Sequence, residues 1–250
     1  MAQSVFLSRD NPPAVVLCGG LGTRLSGVLG YCPKVLANVA GRPFLSHLLD
    51  QLVEGGWKDV ILATGHLGSQ VSEMFRDHYR GMGLHYSRET SPLGTAGALR
   101  LAAQTHSAVL VLNGDSYCNV DLARVVREHF DSRATNSIVG VRVDDVRRFG
   151  ALEVDSDNMI TAFGEKAQID SDTPVPGLIN AGIYVISCEL IASIPPDRQV
   201  SLEHDVFPKW TNRGLRVTLG QGTFIDIGTP ASLVQAQTFF PKADERAQGN

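Results

Sequence analysis

The chain is poor in the residues that several functional classes require. Only four of its 250 residues are cysteine, and Cys18, Cys32, Cys118 and Cys188 lie far apart with no C-x-x-C pair. That excludes a disulfide framework and a zinc ribbon, and the four read as reduced, mostly buried thiols of a cytoplasmic protein. None of the seven histidines falls in an H-E-x-x-H pattern. No G-x-S-x-G elbow marks a serine hydrolase, and no cysteine has a recognisable base beside it. No apolar run approaches the length of a membrane span, and Met1 to Asn11 has neither a basic start nor a long apolar stretch, so no signal peptide is expected. Positive charge is not in excess: 22 Lys and Arg against 26 Asp and Glu leave a net −4, which disfavours non-specific binding to nucleic acid or to anionic membranes. Internal repeats and low-complexity tracts are also missing. What remains, 43% hydrophobic and 19% charged residues, is the composition of a globular protein. The expectation is one domain over residues 1–250, with one half at 14–143 and a second half with the C-terminal helix at 144–240.

Against that background one stretch stands out. Ala14 to Cys18 is an apolar run that reads as a buried strand, and it empties into Gly19-Gly20-Leu21-Gly22-Thr23-Arg24-Leu25, followed by Pro33-Lys34. Glycines let backbone N–H groups approach an anion closely. Arg24 offers a planar fork for phosphate oxygens and Lys34 a point charge. The loop is not a dinucleotide fingerprint, because Leu25 stands where glycine or alanine is needed after Gly20 and Gly22. Nor is it a Walker loop, because Val28 and not lysine follows Gly27. An ordinary strand-to-helix turn is the alternative reading.

Strand and helix patterns alternate from Ala14 to about Val143. The periodicity predicts a helix over Pro43 to Glu54, ended by Gly55-Gly56, a strand over Asp59 to Thr64, a helix over Ser69 to Tyr79 and a strand over Leu84 to Ser87. Thr95 is placed to cap a helix from Ala96 to Gln104, Ala108 to Leu112 reads as a central buried strand, and Asp121 caps a helix through Phe130. A further strand spans Ser137 to Val143. This alternation predicts a doubly wound, mostly parallel, Rossmann-like α/β sheet, in which ligands sit beyond the carboxyl ends of strands. Beyond Asp144 the pattern turns β-rich. A hairpin spans Ala151 to Phe163, a long strand Leu178 to Ser187, a short helix Leu202 to Trp210, a strand Leu215 to Leu219 and a final helix Ala231 to Phe240. These later strands are expected to extend the same sheet and cover the site.

Phosphoryl and nucleotidyl transfer depend on placed cations more than on covalent catalysts, and a divalent metal there takes one or two carboxylates plus substrate phosphates. Asp115 follows the central strand, either as an Asx-turn residue or as a metal ligand. Asp226 lies inside the apolar run Phe224 to Ile227, where an unpaired carboxylate is costly, so it belongs either to a buried ion pair or to a metal. Lys166 and Glu165 follow a strand end, as surface residues or as phosphate and hydroxyl partners. Asn180 is polar in an apolar strand and bonds either a ligand or a neighbouring backbone group. Arg147-Arg148 reads as a solvated pair. Trp57 and Trp210 read as core or rim aromatics.

Taken together, Gly-Gly-Leu-Gly-Thr-Arg-Leu with Pro33-Lys34, Pro-Leu-Gly-Thr-Ala-Gly at 92–97, Asn-Gly-Asp at 113–115, Glu165-Lys166, Asn180-Ala181-Gly182 and Asp226-Ile227-Gly228-Thr229 resemble, in order, the signature of the sugar-phosphate nucleotidyltransferases. The phrases Asn-Gly-Asp-Ser-Tyr, Asp-Val-Phe-Pro and Phe-Ile-Asp-Ile-Gly-Thr-Pro are similar to those of guanylyltransferases within that family that act on a heptose 1-phosphate. Glu89 to Gly97 resembles the GDP-mannose branch and departs from the Gln-containing loop of thymidylyl- and uridylyltransferases, which favours guanine. The resemblance implies transfer of GMP from GTP to a sugar 1-phosphate with Mg²⁺, a heptose 1-phosphate being the first expectation. A mannose 1-phosphate enzyme, a UTP-dependent enzyme and a non-catalytic regulatory homologue are the alternatives, and a homodimer is the family's habit. It implies that Leu17, Gly19, Gly20, Glu89, Gly94 and Thr95 hold the base and ribose. Gly22, Thr23 and Arg24 would hold the triphosphate, with Lys34 on the reacting phosphate, and Asp115 and Asp226 would bind the metal. Lys166 would hold the sugar phosphate, while Gly150, Glu165 and Asn180 shape the sugar pocket. Cys18 departs from the family's usual alanine. No β-helix tail follows, so no acyltransferase extension is expected.

Overall fold

In the computed structural model of the chain, residues 11–20, 25–103, 108–132, 134–149, 151–164, 173–211 and 213–241 are described. The elements, in order, are β1 (Ala14–Leu17), α1 (Ser26–Leu29), β2 (Asn38–Val39), β3 (Arg42–Pro43), α2 (Phe44–Glu54), β4 (Asp59–Thr64), α3 (Gly68–Phe75), β5 (His78–Tyr79), β6 (Met82–Arg88) and α4 (Gly94–Ala102). They continue as β7 (Ala108–Asn113), β8 (Ser116–Cys118), α5 (Leu122–Asp131), β9 (Asn136–Val143), β10 (Ala151–Val154), β11 (Ile160–Gly164), β12 (Gly177–Ser187), α6 (Cys188–Ser193), β13 (Leu215–Gly220), β14 (Phe224–Asp226) and α7 (Pro230–Phe239).

Eight strands form one sheet in the order β13-β9-β12-β7-β1-β4-β6-β5. The central block β7-β1-β4-β6 is parallel. Its two inner strands β1 and β7 read as continuous apolar runs because both faces are covered. Alternation along each strand divides the core. Val16, Leu110 and Leu112 pack with α2, α3, α5 and α7 on one face. Val15, Val109 and Val111 pack with α4, α6 and the 200–210 segment on the other. This is the doubly wound, mostly parallel arrangement that the alternation predicted. The later strands β12 and β13 do lie in the same sheet, but β12 is inserted antiparallel between β7 and β9 and carries a register shift between Asn180 and Tyr184. The chain at Gly177–Ser187 therefore enters the middle of the sheet and does not simply add to its edge.

Local differences from the sequence reading have identifiable causes. The helix expected over Ser69 to Tyr79 ends at Phe75, because Arg76 turns to a positive φ of 54°. His78–Tyr79 then pairs antiparallel with Met82 and Gly83 around Arg80-Gly81, both at positive φ, the geometry of a two-residue hairpin turn. Thr95 does not cap its helix: α4 begins at Gly94 with Leu93 at the N-cap and no side-chain cap. In place of a regular helix over Leu202 to Trp210 there are two short turns, Leu202–Val206 capped by Ser201 and Phe207–Lys209 containing Pro208. Asp121 does cap α5 through Arg124 N, and β10 and β11 form the expected hairpin. Of the four free cysteines, Cys18 and Cys118 are buried and Cys188 is exposed. Burial pushes the Cys118 thiol up to about 12, which keeps it unreactive.

The α5–β9 contact gives the fold a pH signature. His129 is buried, with Nδ1 2.8 Å from Ser137 Oγ, and desolvation pushes its pKa down to about 4. The unfolded chain binds this proton with a pKa of about 6.5. Stability from this group is therefore complete above that value and is lost as pH falls towards 4. Urea titrations between pH 7 and 4 are expected to show a fall in unfolding free energy that the His129→Gln variant lacks, by an amount on the order of 2–3 kcal/mol.

Candidate active site

The glycine turn begins where β1 stops. Cys18 N donates to Ala63 O at 2.8 Å, which keeps β1 and β4 together to their ends, and the chain then leaves the sheet through Gly19 and Gly20, both exposed. Gly20 has φ +118°, a conformation that L side chains rarely adopt. Of the residues predicted to grip the phosphates, Gly22, Thr23 and Arg24 lie outside the described residues, as do Gly150, Glu165 and Lys166 on the sugar side. The others can be placed.

Gly114 N donates to Leu17 O at 3.0 Å, and a Cβ at Gly114 would stand 2.6 Å from that carbonyl. The close approach sets Asn113, Gly114 and Asp115 directly beside the start of the glycine turn. Lys34 opens a short 3₁₀ turn with Val35 and Leu36 buried behind it, and its Nζ lies 2.5 Å from Asp115 Oδ2. Asp226 reaches the same place because β14 pairs antiparallel with β8, Asp226 opposite Ser116, and Ile227 N donates to Asp115 O at 2.9 Å. Asp226 Oδ1 accepts hydrogen bonds from Gly228 N at 2.6 Å and Ser232 Oγ at 3.2 Å, at the N-terminal turn of α7, where a Thr229–Ser232 capping box holds the backbone. Its Oδ2 is 3.4 Å from Arg148 Nη2. Arg148, read from sequence as half of a solvated pair, is thus a third charge beside the two aspartates. No spacing in the sequence links it to Asp226, which lies 78 residues away. Arg147 has a different fate, holding Asp145 with its guanidinium and pushing that carboxyl well below its usual range.

Among the described residues no group of three or more His, Cys, Asp and Glu side chains forms a metal cage. Two carboxylates on one ribbon, one of them anchored through a single oxygen, nevertheless fit a hard divalent cation whose other ligands come from phosphates and water.

A second cluster lies beyond the ends of β4 and β6. Glu89 N donates to Thr64 O at 3.0 Å, and Glu89 Oε2 accepts from Leu93 N at 3.0 Å. Oε1 lies against Gly19 and Gly65: a Cβ on Gly19 would be 3.4 Å from it, and one on Gly65 would collide with it. Gly94 has φ +72° and backs onto Val200 O, leaving no room for a side chain, while Ala96 N donates to the same carbonyl at 3.0 Å. Glu89 thus lies beside Gly19 at the carboxyl edge of the sheet and holds the turn that leads into Gly94 and Thr95. On the β12 side, Asn180 Oδ1 accepts from Gly182 N at 2.8 Å and its Nδ2 donates to Tyr184 OH at 3.0 Å, so its amide supports the bulge of its own strand. Gly182, at φ +74°, lets that bulge press on Asn113 and Ser116. Glu203 and Tyr184 join these groups by hydrogen bonds, together with Asn113 of the Asn-Gly-Asp motif; Glu203 and Tyr184 were not singled out by any sequence pattern.

A doubly wound sheet, a glycine turn at its carboxyl edge, and two aspartates with a lysine define a nucleotide-binding α/β enzyme of the phosphate-transferring class. The chain belongs to the nucleotidyl transferase family, which it matches over residues 13–243. It is 36% identical over 228 residues to a mannose-1-phosphate guanylyltransferase of Mycobacterium tuberculosis, covering 89% of this chain but 62% of that protein. It is 31% identical over 218 residues to the D-glycero-alpha-D-manno-heptose 1-phosphate guanylyltransferase of Campylobacter jejuni, covering 87% of this chain and 95% of that one. The crystal structure of HddC from Yersinia pseudotuberculosis complexed with GMP-PN superposes with a TM-score of 0.79 at 32% identity, covering 92% of this chain and all of that one, 100%.

Replacing Asp115 by Asn removes the charge that faces Lys34 while keeping the shape. Turnover is expected to fall by at least about a hundredfold. The thermal midpoint should stay within about 4 °C of the parent, because the residue is half-exposed and no core contact is lost. Undiminished turnover in this variant would remove Asp115 from the chemistry.

Proposed function

We propose that the chain transfers GMP from GTP to a sugar 1-phosphate and releases pyrophosphate. The observation that supports this reading is the meeting of Lys34 with Asp115, and of Asp226 with the Asp115 turn through the β8–β14 pairing, at the end of the sheet where Gly19 follows β1. The acceptor's phosphate oxygen attacks the α-phosphorus in line. The new P–O bond forms as the bond to the β-phosphate oxygen breaks, and pyrophosphate carries the electron pair away. Lys34 stands where it can neutralise charge on the reacting phosphate, and Arg24 is assigned to the leaving pyrophosphate. Asp115 and Asp226 would hold Mg²⁺, which supplies charge neutralisation on the phosphates when bound. Glu89 favours guanine. An ionised carboxylate only accepts hydrogen bonds, and guanine presents adjacent N1–H and 2-amino donors, whereas uracil and thymine present one N–H between two carbonyls.

D-glycero-α-D-manno-heptose 1-phosphate is the first acceptor, because the heptose-type relative matches the chain over nearly its whole length. Mannose 1-phosphate is second, favoured by the 36% identity to a mannose-type enzyme of which the chain spans 62%. Lys166 is assigned to the acceptor phosphate, and Gly150, Glu165 and Asn180 to the sugar. The reading includes a cytoplasmic location, a homodimer, and a single domain whose halves at 14–143 and 144–240 take nucleotide and sugar. No described helix is long and apolar enough to cross a membrane.

The deciding experiment measures pyrophosphate release with Mg²⁺, crossing each nucleoside triphosphate with heptose, mannose and glucose 1-phosphates. GTP with heptose 1-phosphate is expected to give the highest kcat/KM. A different productive pair would replace the substrate and keep the chemistry. No release from any pair would refute the transferase reading.

A further inference from the structure

Glu203 lies in none of the motifs that mark the phosphate site, yet four donors from separate parts of the chain meet at its carboxylate. Its Oε2 accepts from Thr95 Oγ1 at 2.9 Å and from Ser201 Oγ at 3.0 Å. Its Oε1 accepts from Tyr184 OH at 3.2 Å and from Asn113 Nδ2 at 3.4 Å. The network continues on both sides. Thr95 Oγ1 accepts from Leu202 N at 2.8 Å, and Val200 clasps the same turn through Ala96 N at 3.0 Å and Leu93 O at 2.8 Å. Tyr184 OH accepts from Asn180 Nδ2 at 3.0 Å and from Asn113 Nδ2 at 3.2 Å. Burial drives the Tyr184 phenol far above its ordinary pKa, with the Glu203 charge adding to the effect, so it stays a donor.

The segments joined are those that the reaction must bring together. Thr95 stands in the first turn of α4, in the segment assigned to the nucleotide. Asn113 is two residues before Asp115. Asn180 is on the strand assigned to the sugar. These three come from strands and helices distant in sequence; the Glu203 carboxylate accepts from Thr95 and Asn113 directly and reaches Asn180 through the Tyr184 hydroxyl. We propose that Glu203 is a positioning residue that holds the nucleotide turn, the Asp115 turn and the sugar-side strand in one register, so that the α-phosphorus and the acceptor phosphate are presented in line. The assignment of the two sides to nucleotide and sugar rests on the proposed GMP transfer; the hub itself does not.

Two near-isosteric variants separate its branches. Glu203→Gln puts an amide donor against donors on one side or the other, so both sides cannot be satisfied. Tyr184→Phe keeps the volume and cuts the bonds made by the phenol, to Glu203, Asn180 and Asn113, while the bonds from Thr95 and Asn113 to Glu203 stay. Amide hydrogen exchange on the ligand-free proteins reads the hub directly, and steady-state kinetics read its use. In Glu203→Gln, exchange is expected to rise in both 93–96 and 180–184, and KM to rise at least about fivefold for both GTP and the sugar 1-phosphate, as the loss of one net hydrogen bond on each side implies. In Tyr184→Phe, exchange should rise in 180–184 alone, and KM should rise for the sugar 1-phosphate with that for GTP unchanged. A purely structural network would lower the melting temperature and leave both KM values where they were. That result would overturn the proposal, as would exchange rising only within 200–206. If Glu203→Gln does not fold, the Tyr184→Phe pattern decides. If the parent protein turns over no substrate pair, the transferase reading fails and the exchange pattern alone passes judgement on the hub.

Discussion

Two aspartates from widely separated parts of the chain are set side by side, and such a pair stands only where cations meet it. Unit charges about 4 Å apart near a protein surface interact with roughly 4 kcal/mol. Like charges without an intervening cation would drive the ribbon apart. Lys34 answers Asp115, and Arg148 with the Gly228 amide and the Ser232 hydroxyl answers Asp226. Much of the local structure follows from that requirement. β14 must return to pair with β8, α7 must begin just after Asp226 so that its first turn points at the carboxylate, and Gly114 must be glycine for the Asp115 turn to lie against Leu17. The same arrangement suits a divalent cation bridging to phosphate, since the carboxylates are already collected and partly compensated by mobile cationic side chains.

The sheet explains how early and late parts of the chain come to share that centre. The parallel block ends in loops that all open on one edge, where the glycine turn, Glu89 and Gly94 come together. Inserting β12 antiparallel beside β7 brings a strand with a bulge directly against the Asn113–Ser116 turn. A purely parallel sheet would have placed a crossover helix there. The antiparallel strand instead delivers Asn180, Gly182 and Tyr184 to the centre from the later part of the chain, and Glu203 ties them to the earlier part.

The relatives differ in how much of themselves this chain represents. It spans 62% of a mannose-type enzyme and 95% of a heptose-type one. The residues that form the centre all lie within the part matched to the family, 13–243.

The amino-acid sequence alone determined the helices and strands whose burial is periodic, because that signal is local. β1, α2, β4, β7 and α5, with its Asp121 cap, are legible from residues no more than a few positions apart. It also singled out Asp115 and Asp226 by the cost of a carboxylate at a strand end or in an apolar run, Lys34 as a cation following the glycine turn, and all three by likeness to a family signature. Three kinds of fact were decided only by the tertiary structure. A positive φ at Arg76 ended a helix that periodicity would have continued. The place of β12 between β7 and β9 depends on which strands find each other, which no local pattern encodes. Arg148 and Glu203 gained their meaning from partners 78 and 108 residues away, because a charged or hydrogen-bonding side chain is defined by what it faces, and that is settled when the chain closes on itself.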